Sequence, residues 1–311
     1  MKKISIQVNL ILLLSALASN VSFGQTYPFS EERYNYPVRT DATNPPIKVL
    51  VIPVQLNGIN SSGQSCDGWV TTCFPENGIP VDIDKYFDNS IGVGGPVGYF
   101  TKYYYDASFG NFVVLGDYLD VVVNLPYCGS SNVGGKVMKL LYDTYGLNLP
   151  LHYNSPLSDF DKYTLDAPQV QGYPKVVAPN LRFDHVIFLI RNNPEWGSAV
   201  GFGCAETSIL PGDPVSGFGP YGVDVGCAFG HNGGIVSIDF VLSEYFHALY
   251  GHNNWHLGSG ASYHTFMSTT QPWGLTSQLQ GSGMSNVVSA WDRWSTTTGI
   301  QTKRITPCHI T

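Results

Sequence analysis

SIDFVLSEYFHALYGHNNWH, residues 237 to 256, is the stretch on which the reading of this chain turns. Ile238, Val241, Leu242, Tyr245 and Leu249 recur at i, +3, +4, +7 and +11, the spacing of an amphipathic helix. Ser237 opens that helix and Gly251 ends it at the residue after its C-cap. Ser243, Glu244 and His247 form a polar patch beside the apolar face. This is the geometry of H-E-x-x-H, in which two side chains one turn apart hold zinc and the Glu between them is a general base. Here Ser243 occupies the first ligand position, while Glu244 and His247 remain. Five of the eight histidines lie between His231 and His264. A second register, His252 with His256, needs helix through Gly251 and two Asn, which propensity disfavours. His231 reads as loop surface, and His152, His185, His264 and His309 carry no motif.

Outward from this helix, Ile47 to Leu56 (IKVLVIPVQL) reads as a buried strand, with Pro53 marking an edge or a bulge. Residues 57 to 80 form a loop. Val81 to Tyr105 contains a helix ending in Tyr103, Tyr104 and Tyr105, which read as helix-face packing. Phe112 to Leu125 reads as two strands with a turn around Gly116. Ser131 or Asn132 caps a helix through Tyr145, with Met138, Leu141 and Tyr145 on one face and Gly146 as its stop. Asp184 to Ile190 (DHVIFLI) is the clearest central strand. Residues 192 to 235 are dominated by Gly, Pro and Asn. A last helix is expected over Ser285 to Trp294.

Charged residues make up 13% of the 311, with a net charge of -7, about half the ~25% usual in soluble domains. The 43% hydrophobic content supports a packed core. The acidic balance argues against a general nucleic-acid binder or a basic membrane-surface protein. Lys2 and Lys3, then the apolar stretch Val8 to Ala18, read as a secretory signal over residues 1–24, with Ser22 and Gly24 before a cut at Gln25. No later stretch is long and apolar enough for a membrane span. Residues 25–46 read as an extended segment, and 47–311 as one domain. Six cysteines fit an oxidising compartment. Spacing alone leaves fifteen pairings; Cys66 with Cys73 and Cys204 with Cys227 are the expected ones. No C-x-x-C, G-x-S-x-G or Gly-rich phosphate loop is present.

Several further pieces, in order, resemble the secreted bacterial metallopeptidases of the immune-inhibitor-A type, a zincin family. They are Phe100 to Phe112 (FTKYYYDASFGNF), Asp159 to Tyr163, Phe183 to Phe188, Pro272-Trp273-Gly274-Leu275, and Ala290-Trp291-Asp292-Arg293-Trp294. The resemblance runs from about residue 47 to 294. It implies an α+β zincin-like metalloprotease fold, with a mixed sheet, an active-site helix and a small C-terminal lobe. It implies Glu244 as general base, His247 as zinc ligand and His256 as third ligand, in a "G-x-N-x-aromatic-H" pattern; His252 is nearer but matches less well. By the same resemblance, the strand and loop before the helix, about Gly226 to Ile235, would face a peptide backbone. Three features depart from the family: Ser243 for a histidine, Thr276 for a usual Met, and a stretch after Trp294 without the family's hydrophobic pattern or appended modules.

The implied activity is zinc-dependent hydrolysis of peptide or protein substrates outside the cell, impaired by Ser243, with zinc held weakly or not at all. The alternative is an inactive homologue that binds peptides or glycoproteins through the same cleft. A weaker reading, from the aromatic and Gly/Asn-rich composition, is a carbohydrate-binding or adhesin-like module. Oligomeric state is not legible. Intact-mass analysis of the secreted chain should show a product beginning at Gln25. A product retaining residues 1–24 would exclude the signal reading.

Overall fold

Strand β1, Ile47–Leu56, is buried at nine of its ten positions. Such a continuous apolar run suits a strand covered on both faces, as parallel sheets require. The structure is a computed structural model that describes residues 45–67, 74–107, 110, 112–129, 131–164, 176–191, 217–230, 241, 242 and 245. After β1 come helix α1 (Ile83–Phe87), a small antiparallel hairpin of β2 (Ile91–Gly92) and β3 (Gly95–Pro96), and helix α2 (Tyr99–Ala107). Then follow β4 (Val114–Tyr118), β5 (Val123–Leu125) and helix α3 (Val133–Tyr145). A second small hairpin pairs β6 (Tyr163–Thr164) with β7 (Val176–Val177), before β8 (Arg182–Ile190) and β9 (Gly222–Gly230).

The main sheet has five strands in the order β4-β1-β8-β9, with β5 also on β1. All its pairings among the described residues are parallel. The expected mixed sheet is therefore a parallel one over this region; the antiparallel pairs sit in the two hairpins. Helices cover both faces. Ile47, Val49 and Val51 of β1 pack with Phe87 of α1 and with Phe100, Tyr103 and Tyr104 of α2. Leu50, Ile52, Val54 and Leu56 pack on the other side with Val133, Val137, Met138 and Leu141 of α3. The alternation along β1 is the two-residue period of a strand. Broadly, this is a mixed helix-and-sheet fold compatible with the α+β expectation.

Pro53 is neither at an edge nor in a bulge. It lies inside β1, paired in register with Leu189. On the opposite flank, β4 pairs with β1 up to Val51 and β5 resumes at Val54. The Val51 carbonyl accepts from the Leu119 N–H on that flank, and the Val54 carbonyl accepts from the Arg191 N–H on the β8 flank. Alternate residues face alternate neighbours, so residue 53 faces the gap between β4 and β5. The missing proline N–H costs no ladder bond there.

One other expectation changes and two gain detail. The helix expected within 81–105, ending in the aromatic run, is α2, which extends to Ala107; the shorter α1 and the β2–β3 hairpin precede it. Gly116 is inside β4 rather than at a turn; a Cβ there would meet Phe87 Cδ1 at 2.5 Å, so glycine lets α1 sit close to the sheet. Residues 222 to 230 form a strand within the Gly-rich stretch. At α3, Asn132 takes the N-cap place in a left-handed conformation (φ 52) without a side-chain capping bond. Gly146, as expected, closes the helix at φ 58, donating its N–H to the Tyr142 carbonyl at 2.8 Å.

Two buried carboxylates fasten the entry to β8. Asp161 accepts the N–H groups of Asn180 and Leu181, each at 2.9 Å. Asp184 accepts those of Lys162 and Tyr163, each at 3.0 Å. Each segment thus supplies the carboxylate that satisfies the other's backbone donors. Nearby, burial pushes the Asp159 carboxyl up, but hydrogen bonds from Lys48 and Lys162 outweigh it and hold the group below its ordinary range. A depressed carboxylate adds stability above its unfolded range that is lost as pH falls through the folded value. Asp159→Asn should therefore cost roughly 0.5–1 kcal/mol at neutral pH and flatten the acid limb of a denaturation series.

The structure replaces the Cys66–Cys73 expectation with a Cys66–Cys128 disulfide, 62 residues apart in sequence. It ties the loop after β1 to the segment between β5 and α3. Cys227 is also disulfide-bonded, with a partner outside the described residues. Non-reducing peptide mapping should recover Cys66 linked to Cys128. Replacing both by Ala should lower stability by about 4 kcal/mol on the chain-entropy model for a loop of this length.

Candidate functional site

The helix that carries the candidate motif is seated by Val241, Leu242 and Tyr245, which are helical and buried. These are three of the five apolar positions in the expected stripe. They join the core on the face of the sheet that α1 and α2 cover. The Tyr245 ring lies 5.1 Å from Phe100, 5.8 Å from Tyr104 and 5.2 Å from His185. Tyr104 donates its hydroxyl to the Leu242 carbonyl at 2.8 Å. Each aromatic pair of this kind contributes roughly 0.5–1.5 kcal/mol beyond the area it buries. The run Tyr103-Tyr104-Tyr105 thus includes two buried packing residues, Tyr103 and Tyr104. His185, which carried no motif, is buried on β8 against Tyr245.

Ser243, Glu244, His247, His252 and His256 lie outside the described residues, as do His231, His264 and Thr276. The expected helix over 285–294 and the Cys204 side of the expected Cys204–Cys227 pair lie outside them too. Among the described residues, no three His, Cys, Asp or Glu side chains are grouped to hold a metal ion. By donor chemistry the named set fits zinc only in part. His247 and His256 offer imidazoles of the kind zinc takes, whereas the Ser243 hydroxyl is neutral and a poor ligand.

A second polar feature lies at the carboxyl ends of β1 and β8, and no motif announced it. Gln55, 3% exposed, donates from Nε2 to Asn57 Oδ1 at 2.9 Å and accepts the Asn77 N–H at 3.3 Å. One residue past the last β1–β8 register pair, Val54 with Ile190, comes Arg191, 1% exposed, whose N–H bonds the Val54 carbonyl at 2.8 Å. Its Nε, Nη1 and Nη2 have no hydrogen-bond partner among the described residues. Burial pulls the Arg191 guanidinium below its ordinary range, against the attraction of Glu76 and Asp67. The available signal was positional: a cation directly after the apolar run DHVIFLI ends a buried parallel strand. A third feature, at the end of β4, pairs His152 Nδ1 with Asp120 at 2.8 Å while the ring stacks on Tyr118 at 4.5 Å. It fastens the 150–152 segment and is exposed.

No known protein-family model matches the chain, and no curated protein matches it. Among the described residues, no helix is long and apolar enough to cross a membrane.

The seat of the motif helix can be tested directly. Tyr245→Ala should destabilise the fold by about 3–5 kcal/mol, as for other buried aromatic truncations. Tyr104→Phe should cost about 1 kcal/mol through the lost bond to Leu242. Denaturant midpoints of the two variants check both values.

Proposed function

We propose that this chain is a secreted zincin-like metallopeptidase whose first zinc-ligand position is altered by Ser243. The observation that carries the reading is the pattern Glu244-x-x-His247 in phase with Val241, Leu242 and Tyr245. Those three residues are buried as the apolar flank of a helix, and the same periodicity sets Ser243, Glu244 and His247 apart from that flank. The parallel sheet with α2 and this helix on one face supports a zincin-like arrangement. The leader-like N-terminus and the disulfides support a secreted protein.

In this reading His247 and His256 hold zinc, with His252 as the nearer substitute for His256. Zinc, when bound, makes water more acidic and polarises a peptide carbonyl. Glu244 takes the proton from water and passes it to the departing amine. The segment from Gly226 to Ile235 lies along the peptide backbone. The substrate is a peptide or protein.

A second reading has its own observation, Ser243. With one imidazole replaced by a neutral hydroxyl, two histidines hold zinc weakly, or Glu244 becomes a ligand and cannot act freely as a base. The chain would then bind peptides or glycoproteins through the cleft without cleaving them.

Elemental analysis of the purified chain after dialysis against trace zinc separates these readings. Near one zinc per chain, with peptide hydrolysis that falls about 10²–10⁴-fold in Glu244→Gln, supports the peptidase. Absence of retained zinc supports the binding protein. Ser243→His should then raise zinc affinity, since it completes a three-histidine set. If it does not, the metal assignment of this helix is wrong.

A further inference from the structure

Strand β8 carries an arginine at each end, and the two are treated differently. Arg182, at its start, forms an ion pair with Asp224 on β9 and donates from Nη2 to the Val223 carbonyl at 2.8 Å. Arg191, just past its carboxyl end, has three guanidinium nitrogens without a hydrogen-bond partner among the described residues, although it is 1% exposed. A buried charge without a partner is strongly unfavourable, and buried arginines are normally paired. The neighbouring polar groups do not serve it. The Gln55 amide is engaged with Asn57 and Asn77. Glu76 and Asp67 attract it only at a distance.

The location gives the unpaired group a meaning. From β1 the chain crosses to β4 on one flank, then returns to β8 on the other. The order of strands therefore reverses between β1 and β8. In parallel α/β sheets, ligands bind outside the carboxyl ends of the strands at such a reversal. Arg191 stands there, its backbone fixed by the ladder bond to Val54. A guanidinium presents a planar fork that matches the two oxygens of an oxyanion.

We propose that Arg191 is the receptor of an oxyanion-binding site at the β1–β8 crevice, taking the carboxylate or phosphate group of a small ligand. The site is independent of the zinc reading, since it uses none of the residues assigned to the metal. Gln55 positions the 75–78 turn beside it through the Asn77 N–H, and contributes no charge of its own.

The test uses the full mature chain. Its melting temperature is followed against inorganic phosphate and, separately, succinate, each compared with sodium chloride at matched ionic strength. Binding to the native state raises the midpoint in a saturable way. The expected result is a saturable rise with one or both oxyanions and not with chloride; the one acting at lower concentration identifies phosphate or carboxylate as the preferred group. Arg191→Met should abolish the rise while melting in chloride no lower than the parent, because it removes an unpaired buried charge. An equal rise in Arg191→Met, or no saturable rise in the parent, overturns the site. So does a parent without oxyanion response whose stability drops in Glu76→Gln, which would show Glu76 to be the partner. If Arg191→Met does not fold, the arginine Nε–Hε resonances of the parent decide: a saturable shift with phosphate or succinate supports the site, and an unmoved spectrum overturns it.

Discussion

The rest of the structure depends on β1 being hydrogen-bonded along both flanks and covered on both faces. Its backbone bonds are taken by β4 and β5 on one side and β8 on the other. Its side chains divide between two cores, one closed by α1, α2 and the helical residues Val241, Leu242 and Tyr245, the other by α3. The polar side chains of this strand stand near its two ends: Lys48 at the start, bonded to Ser155 and Asp159, and Gln55 at the carboxyl end. The candidate oxyanion site stands at the open end of β1 and β8.

How much of this was legible in the sequence depends on how each element is stabilised. β1 and β8 were readable because both are continuous apolar runs, the mark of strands buried on two faces. α3 was readable because Met138, Leu141 and Tyr145 keep helical spacing and Gly146 is a strong stop. β9 was expected only through the resemblance and only from about Gly226, because Gly222, Asp224, Gly226 and Gly230 have poor strand propensity; eight register pairs with β8 hold Gly222–Gly230 as a strand. Tertiary pairing overrides local preference in sheets more readily than in helices. Gly116 misled for the same reason: its glycine serves the approach of Phe87, not a reversal of the chain. The Cys66–Cys128 bridge could not be read because spacing carries no connectivity. For the candidate metal site, Val241, Leu242 and Tyr245 of the expected apolar flank are buried, Ile238 and Leu249 lie outside the described residues, and the ligand residues rest on motif and resemblance alone.

The polar interior sharpens the contrast between the two ends of β8. Asp117, Asp161 and Asp184 are buried, and each accepts backbone N–H groups from a neighbouring segment. These carboxylates act as local stitches, each matched to donors that irregular backbone would otherwise leave unsatisfied. Arg182 is likewise matched to Asp224 on the adjacent strand. Arg191 differs from these groups in being a buried cation whose three guanidinium nitrogens find no hydrogen-bond partner among the described residues. Unsatisfied buried groups in otherwise satisfied proteins concentrate where a function requires them. Arg191 also follows eight consecutive buried residues of β8, where a neutral apolar side chain would fit the local pattern better. Retaining a cation there makes physical sense if an anion arrives to meet it. That argument rests on this chain's own internal consistency, and it holds whether or not the helix beside it carries zinc.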